Sequence, residues 1–242
     1  MSINKNKFDA VIVRAICFLC AVAGIVLRLT ENYLPGNQFA YFDVQLTLVV
    51  AIFFTALTVI SIVDLVRHGG EGDSPTISGV IHNVIVCTVA ADTVAFWAIS
   101  SWAVFPADHL LTPSTILLHG FLPAMIVVDW ILFLPHGRFR CYFTPLSLAL
   151  PALSYSALLI IASGGYVFFE KQFGAYYRRV NYPYAFFEPD AMGGVGAVVG
   201  IVALFAIGFF AISVLLWLLD RALSGKKTNK ISFYDAKKEK RK

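Results

Sequence analysis

The stretch Leu117–Trp130, "LLHGFLPAMIVVDW", decides how this chain is read. It is oily enough for a lipid bilayer, yet it places His119, Pro123 and Asp129 in one span, and polar groups in hydrocarbon are costly. Working outward, the whole chain has the same character. Of its 242 residues, 58% are hydrophobic and 14% charged, with a mean hydropathy of +0.74. A soluble domain carries roughly 25% charged residues. A soluble fold of this length could not hide so much apolar surface, so lipid is the expected solvent.

A hydrocarbon core of about 30 Å needs roughly 20 helical residues. Six segments qualify, at 8–29, 40–66, 77–105, 113–134, 145–169 and 192–220, separated by charged or turn-forming stretches such as "RHGGEGDSP" and "PHGRFR". Backbone polar groups in lipid must be satisfied within their own segment, so these spans are expected to be helices. The fold expected is all-α and polytopic: a six-helix transmembrane domain over residues 1–220 and a basic tail over 221–242. The apolar run near the N-terminus continues past "AVA" to Leu29, longer than a signal-peptide core, and counts as the first span.

Charge orients the bundle. With the N-terminus inside, fourteen Lys and Arg fall on the inner side and four on the outer, with Arg14 inside a span. The positive-inside rule therefore puts both termini in the cytoplasm, and the membrane is expected to be the cell membrane. Nine of the nineteen basic residues follow Asp220. Beside a bilayer such a tail is expected to meet anionic lipid headgroups rather than nucleic acid. Four cysteines, Cys17, Cys20, Cys87 and Cys141, lie in or beside apolar runs, which argues against a disulfide framework. The fifth loop holds ten Tyr or Phe between Tyr166 and Phe187. It reads as an interfacial anchor, or as a lid carried by Tyr182, Pro183 and Tyr184.

At 1.5 Å of rise per residue, the polar residues separate by depth. Arg14, His82, Asn83 and Asp129 each sit roughly 7–9 Å from the inner face. They read either as interhelical glue, with Arg14 pairing with Asp129, or as a proton or ion relay that Asp92 near mid-membrane extends. Asp92 could equally share a hydrogen bond with Thr88. Near the outer face, Asp43, Gln45 and Thr47 are about as deep as His119, roughly 5–11 Å. Pro123 cannot donate to the carbonyl of residue 119, so the helix is expected to kink or loosen at His119. An imidazole on a loosened turn with a carboxylate at similar depth suits a general base and its orienter. His82 and His119 differ by about 14 Å in depth within a core of about 30 Å, too far to share a metal. No metal or cofactor is expected, and no GxSxG, HExxH or phosphate-loop pattern occurs.

"FAYFDVQLT", "IHNVIV", "LLHGFLPAMIVVDWILF" and "NYPYAFFEPD" resemble, in order and spacing, a family of bacterial six-span membrane proteins over roughly residues 10–220. That group is in turn distantly similar to the animal androgen-induced and androgen-dependent membrane proteins, intramembrane hydrolases of fatty acid esters of hydroxy fatty acids. The resemblance implies a lipid-like ester substrate and a catalytic His119. It puts Asp43 where the animal proteins have a threonine nucleophile. A carboxylate there could attack an acyl carbon, activate water with His119, or mark a lost activity. Thr47, one turn on, and Thr115 are replacement hydroxyls, and Gln45 is a candidate oxyanion donor. Two rival readings stay open: a proton-linked transporter using Asp92, His82 and Asp129, and a non-catalytic scaffold.

Overall fold

The computed structural model describes residues 3–31, 38, 39, 41–100, 111–140, 147, 149, 151, 169–173, 176–180, 184 and 189–224. Five helices among these are long and apolar enough to cross a membrane: α1 (Lys7–Thr30), α2 (Phe42–His68), α3 (Gly79–Ser100), α4 (Pro113–Phe133) and, after the short α5 (Pro189–Met192), α6 (Val195–Leu223). Their bounds fall within a few residues of five of the expected spans. The expected fifth span, 145–169, lies outside the described residues apart from Ser147, Ala149, Pro151 and its last residue. Helix α6 runs three residues beyond the expected boundary at 220, and the tail from 225 onward lies outside the described residues.

One departure from an all-helical chain is in the aromatic loop. There β1 (Phe169–Phe173) pairs antiparallel with β2 (Tyr176–Val180), with Phe169 opposite Val180 and Phe173 opposite Tyr176. The reason is compositional: "FEKQF" and "YYRRV" are rich in aromatic and β-branched residues, which favour extended pairing, and Gly174 lies between them.

Exposed apolar side chains surround an interior that is partly polar. Ile52, Val66 and Leu204 are exposed, while Phe54, Leu57, Val86, Ile126 and Trp130 are buried. Helix α1 packs along α2 and against α4, and α3 packs against α4 and α6. The α1–α4 approach depends on Gly24, because a Cβ there would overlap Leu118 Cδ2.

The two ends of the bundle are stitched differently. At one end the N-terminal segment is bonded to the last turn of α4 and to the loop after α2: Asn4 N–H to the Leu132 carbonyl, 2.8 Å, Lys7 N–H to the Gly70 carbonyl, 2.8 Å, and Gly72 N–H to the Lys5 carbonyl, 2.9 Å. Lys7 Nζ also pairs with Asp64, 2.8 Å. At the same end Asp220, near the close of α6, accepts from Gly137 N–H and Phe139 N–H, each at 2.9 Å. Its other oxygen meets His136 Nδ1 at 3.2 Å. At the opposite end Glu31, just after α1, accepts from the N–H and hydroxyl of Ser114 in the first turn of α4. A carboxylate is favoured there because the first N–H groups of a helix lack internal partners.

Helix α4 is not uniform. Thr112 caps it, accepting from Thr115 N–H, and Pro113 sits in the first turn, where a missing N–H costs nothing. From Leu117 to Phe121 the winding widens into a π-turn, and the N–H of Leu122 reaches back to the Leu117 carbonyl. This is the loosening expected from Pro123, and it brackets His119.

Candidate functional site

Two buried polar clusters lie at different levels along the bundle. One, inner in the sense of lying toward the end that holds the N-terminus, joins α1, α2, α3 and α4, and the other, outer, lies toward the opposite end. Arg14 Nε donates to Asp129 Oδ1 at 3.0 Å, and its Nη1 donates to Ser61 Oγ and, at 2.8 Å, to the Pro75 carbonyl. His82 Nε2 lies 3.2 Å from Asp129 Oδ2. The side chains of Arg14, His82 and Asp129 have no solvent exposure. Trp130 Nε1 donates to Asn83 Oδ1 at 3.0 Å, and Phe53 and Phe54 set their edges to the His82 ring. The depth argument thus brought together residues that do touch. A fully buried cation and anion in direct contact, with an imidazole 3.2 Å away, join helices that would each lose a partner on removal of the other charge, because an unpaired charge is costly in a medium of low dielectric.

The outer cluster is built from four elements. Asp43 comes from the first turn of α2, where a carboxylate complements the free N–H groups. His119 comes from the π-turn of α4. Its Nε2 lies 3.4 Å from Asp43 Oδ2, and its Nδ1 lies 3.7 Å from Asp92 Oδ2 on α3. Arg28, near the end of α1, places Nη2 3.8 Å from the same Asp43 oxygen and its guanidinium 6.0 Å above the Tyr41 ring. His119 is 3% exposed, so this charge set is held in a sheltered place. Asp43 Oδ1 is buried without a hydrogen-bond partner.

The imidazole is held in plane and in place by two consecutive residues of α3. The Phe96 ring stacks flat on it, with centroids 3.7 Å apart and planes 1° from parallel. The Trp97 indole N–H donates to the His119 carbonyl at 2.7 Å. That carbonyl is the one Pro123 cannot serve, so a side chain from the next helix supplies the donor that the α-helical ladder lacks. The orientation of His119 therefore follows from a proline one turn on and an indole one helix away.

Several sequence-based expectations are redirected. Asp92 stands beside His119 in the outer cluster and not as an extension of the inner one. Thr88 does not share its proton with Asp92; it donates to the Val84 carbonyl at 2.8 Å, as threonines inside helices commonly do. The Thr47 hydroxyl is committed to the Asp43 carbonyl at 2.7 Å, which ties up the hydrogen that a nucleophile must release. Gln45 turns to the Phe39 carbonyl at 2.8 Å and so donates away from the cluster. Thr115 hydrogen-bonds Thr112 at the cap of α4. His82 and His119 belong to separate clusters. Of the expected lid residues, Tyr182 and Pro183 lie outside the described residues. Tyr184 reaches the top of α2, where its hydroxyl oxygen accepts from Phe42 N–H at 2.8 Å and its ring meets Tyr41 edge to face at 5.4 Å.

Sequence reasoning missed Arg28, Phe96 and Trp97. A signal for the last two existed: they follow Asp92 by four and five residues, one helical turn on, and an indole N–H within a span needs an acceptor. Among the described residues no group of three or more His, Cys, Asp or Glu is arranged to hold a metal ion.

Chemically, a buried imidazole between two carboxylates, one of them beside a guanidinium, can take a proton from a water and return it to a leaving group. No family model, no curated protein and no solved structure matches this chain.

Proposed function

We propose that this membrane protein is an intramembrane hydrolase that cleaves the ester bond of a lipid-like, fatty acyl substrate at the outer end of the bundle. The observation that carries the reading is the Asp43–His119–Asp92 arrangement, with carboxylate oxygens 3.4 Å and 3.7 Å from the two ring nitrogens. In this mechanism Asp92, 3.7 Å from Nδ1, closes in to accept from Nδ1–H and set the tautomer, and Nε2 takes a proton from a water that Asp43 helps to orient. The activated water attacks the acyl carbon, and the imidazolium returns the proton to the departing alcohol. The likeness of "LLHGFLPAMIVVDWILF" and "NYPYAFFEPD" to a bacterial six-span family, itself distantly similar to intramembrane ester hydrolases, points the same way. Tyr184, bonded over the first turn of α2, supports a lid role for the aromatic loop.

Six spans and two cytoplasmic termini in the cell membrane complete the proposal. What supports the sixth span is parity. Loop 134–140 and the closing turn of α6 share one end of the bundle with the N-terminus, so the chain between 140 and 195 has to return to the opposite end. The basic tail then meets anionic headgroups on the inner leaflet. The test is purified protein in lipid nanodiscs offered long-chain acyl esters. Turnover is expected, and His119→Ala is expected to abolish it; turnover undiminished in that variant removes the mechanism.

A second reading has one observation in its favour. Carboxylates on both ring nitrogens of a buried histidine also describe a proton path. It predicts substrate uptake that depends on membrane potential and is lost in Asp92→Asn, with no ester cleavage.

A further inference from the structure

We infer that the outer cluster opens lipophilic epoxides through a covalent ester on Asp43, with water delivered to that ester by His119 and Asp92. The inference rests on the reading of these three residues as a hydrolytic site, and it adds a substrate class for which Asp43 itself is the nucleophile.

Asp43 Oδ2 is engaged by His119 at 3.4 Å and Arg28 at 3.8 Å, while Oδ1 is buried and unpartnered. One oxygen is thus anchored, and the other keeps its lone pairs for attack. The nearby Thr47 hydroxyl is less suited to the role, because its hydrogen is committed to the Asp43 carbonyl. A carboxylate that attacks an acyl carbon makes an anhydride, a high-energy product. One that displaces oxygen from a saturated carbon makes an ordinary ester, which a base-activated water can hydrolyse. His119 is placed for that second step, with Nε2 beside the Asp43 carboxyl and Nδ1 turned to Asp92. Phe96, stacked on the ring, holds both directions at once. The apolar surroundings select a lipophilic substrate.

Ring opening needs a proton at the departing oxygen. Tyr184 stands at the required end of the cluster, one residue from Asp43 through its bond to Phe42 N–H. That N–H belongs to the unpaired first turn of α2, so it also stabilises the charge left on the phenol oxygen.

The steps balance. Asp43 Oδ1 forms a bond to an epoxide carbon, the carbon–oxygen bond of the ring breaks, and Tyr184 gives its proton to that oxygen. His119 then takes a proton from water, and the hydroxide adds to the Asp43 carboxyl carbon. The tetrahedral adduct expels the alkoxide, which recovers a proton from His119. The Asp43 carboxylic acid returns its proton to Tyr184. Epoxide and water have become a vicinal diol, and the chain is restored.

The test uses the full chain in lipid nanodiscs with a terminal epoxide of a long-chain alkane. In a single turnover in water labelled with heavy oxygen, the label is expected in the Asp43 carboxylate and not in the diol. His119→Gln is expected to slow diol formation by about 10²-fold or more and to accumulate, on Asp43, an adduct of the epoxide's mass visible in peptide mass spectrometry. Label entering the diol in the first turnover overturns the covalent route, as does a wild-type protein that cleaves acyl esters but yields neither diol nor adduct. Diol formation without any ester cleavage supports the inference and removes the acyl-ester substrate proposed above. A protein inert to both substrates overturns both. The labelling arm needs no variant, so a misfolded His119→Gln does not decide the matter.

Discussion

Replacing Asp129 by Asn tests whether the inner cluster is a lock. In the native chain this carboxylate answers two buried groups at once, Arg14 Nε at 3.0 Å and His82 Nε2 at 3.2 Å, and neither side chain is exposed. An amide keeps the shape but leaves the guanidinium charge without an opposite charge in its shell. Breaking a buried pair by removing one partner costs about 3–5 kcal/mol. The Ser61 and Pro75 bonds to Arg14 survive the change and hold the expected loss towards the lower figure, about 3 kcal/mol. Arg14→Met alone strands Asp129 in the same way. The double variant Arg14→Met with Asp129→Asn removes both charges together and is expected to lose less than the sum of the singles by about 2 kcal/mol, within the range for residues in contact. The assay is reversible unfolding of purified protein in mixed micelles of mild detergent and dodecyl sulfate. An Asp129→Asn change within about 0.5 kcal/mol of wild type, the range of inert surface substitutions, would refute the lock, and so would strict additivity in the cycle. The cluster lies apart from His119, so ester turnover per folded molecule is expected to be unchanged in all three variants.

Trp97→Phe removes the donor to the His119 carbonyl and is expected to cost about 1–3 kcal/mol of stability; kcat falls more than KM rises, and equal stability with wild-type kcat would count against the positioning role. Gly24→Ala drives a methyl into Leu118 Cδ2 and is expected to lose about 1–3 kcal/mol by unfolding assay, with Leu118→Ala restoring part of the loss in the double variant. Asp220→Ala removes the carboxylate that holds His136, Gly137 N–H and Phe139 N–H. Limited proteolysis should then cut within 134–140 faster than in wild type, and an unchanged cleavage rate would count against the clamp. Burial pushes the Tyr184 phenol well above the usual tyrosine range, with the Asp43 and Asp92 charges adding to it. A raised acid is protonated in the folded chain when its unfolded counterpart is not. The contribution of Tyr184 to stability is therefore full below the unfolded value of about 10 and is lost as pH rises beyond it. Tyr184→Phe should flatten that alkaline loss in a stability-versus-pH series.

The sequence by itself determined the five described helices, each long and apolar enough to cross a membrane, and the position of each polar residue along them. These are one-dimensional properties: helix length is set by bilayer thickness, and depth by a constant rise per residue. Pro123 announced the loosened turn at His119 because a missing N–H is a local fact. Rotation about the helix axis and partner choice were not legible, because lipid leaves a helix apolar on its outer side too and erases the polar face that marks the exterior of a soluble helix. Tertiary structure alone therefore decided that Asp92 joins His119 and not Asp129, and that Arg28 balances Asp43. It also decided that Trp97 of another helix answers the carbonyl Pro123 leaves open, and that Thr47 turns back on its own backbone. Each of those outcomes depends on which faces of separate helices meet, and that is set by packing such as the Gly24–Leu118 approach, which no single span records.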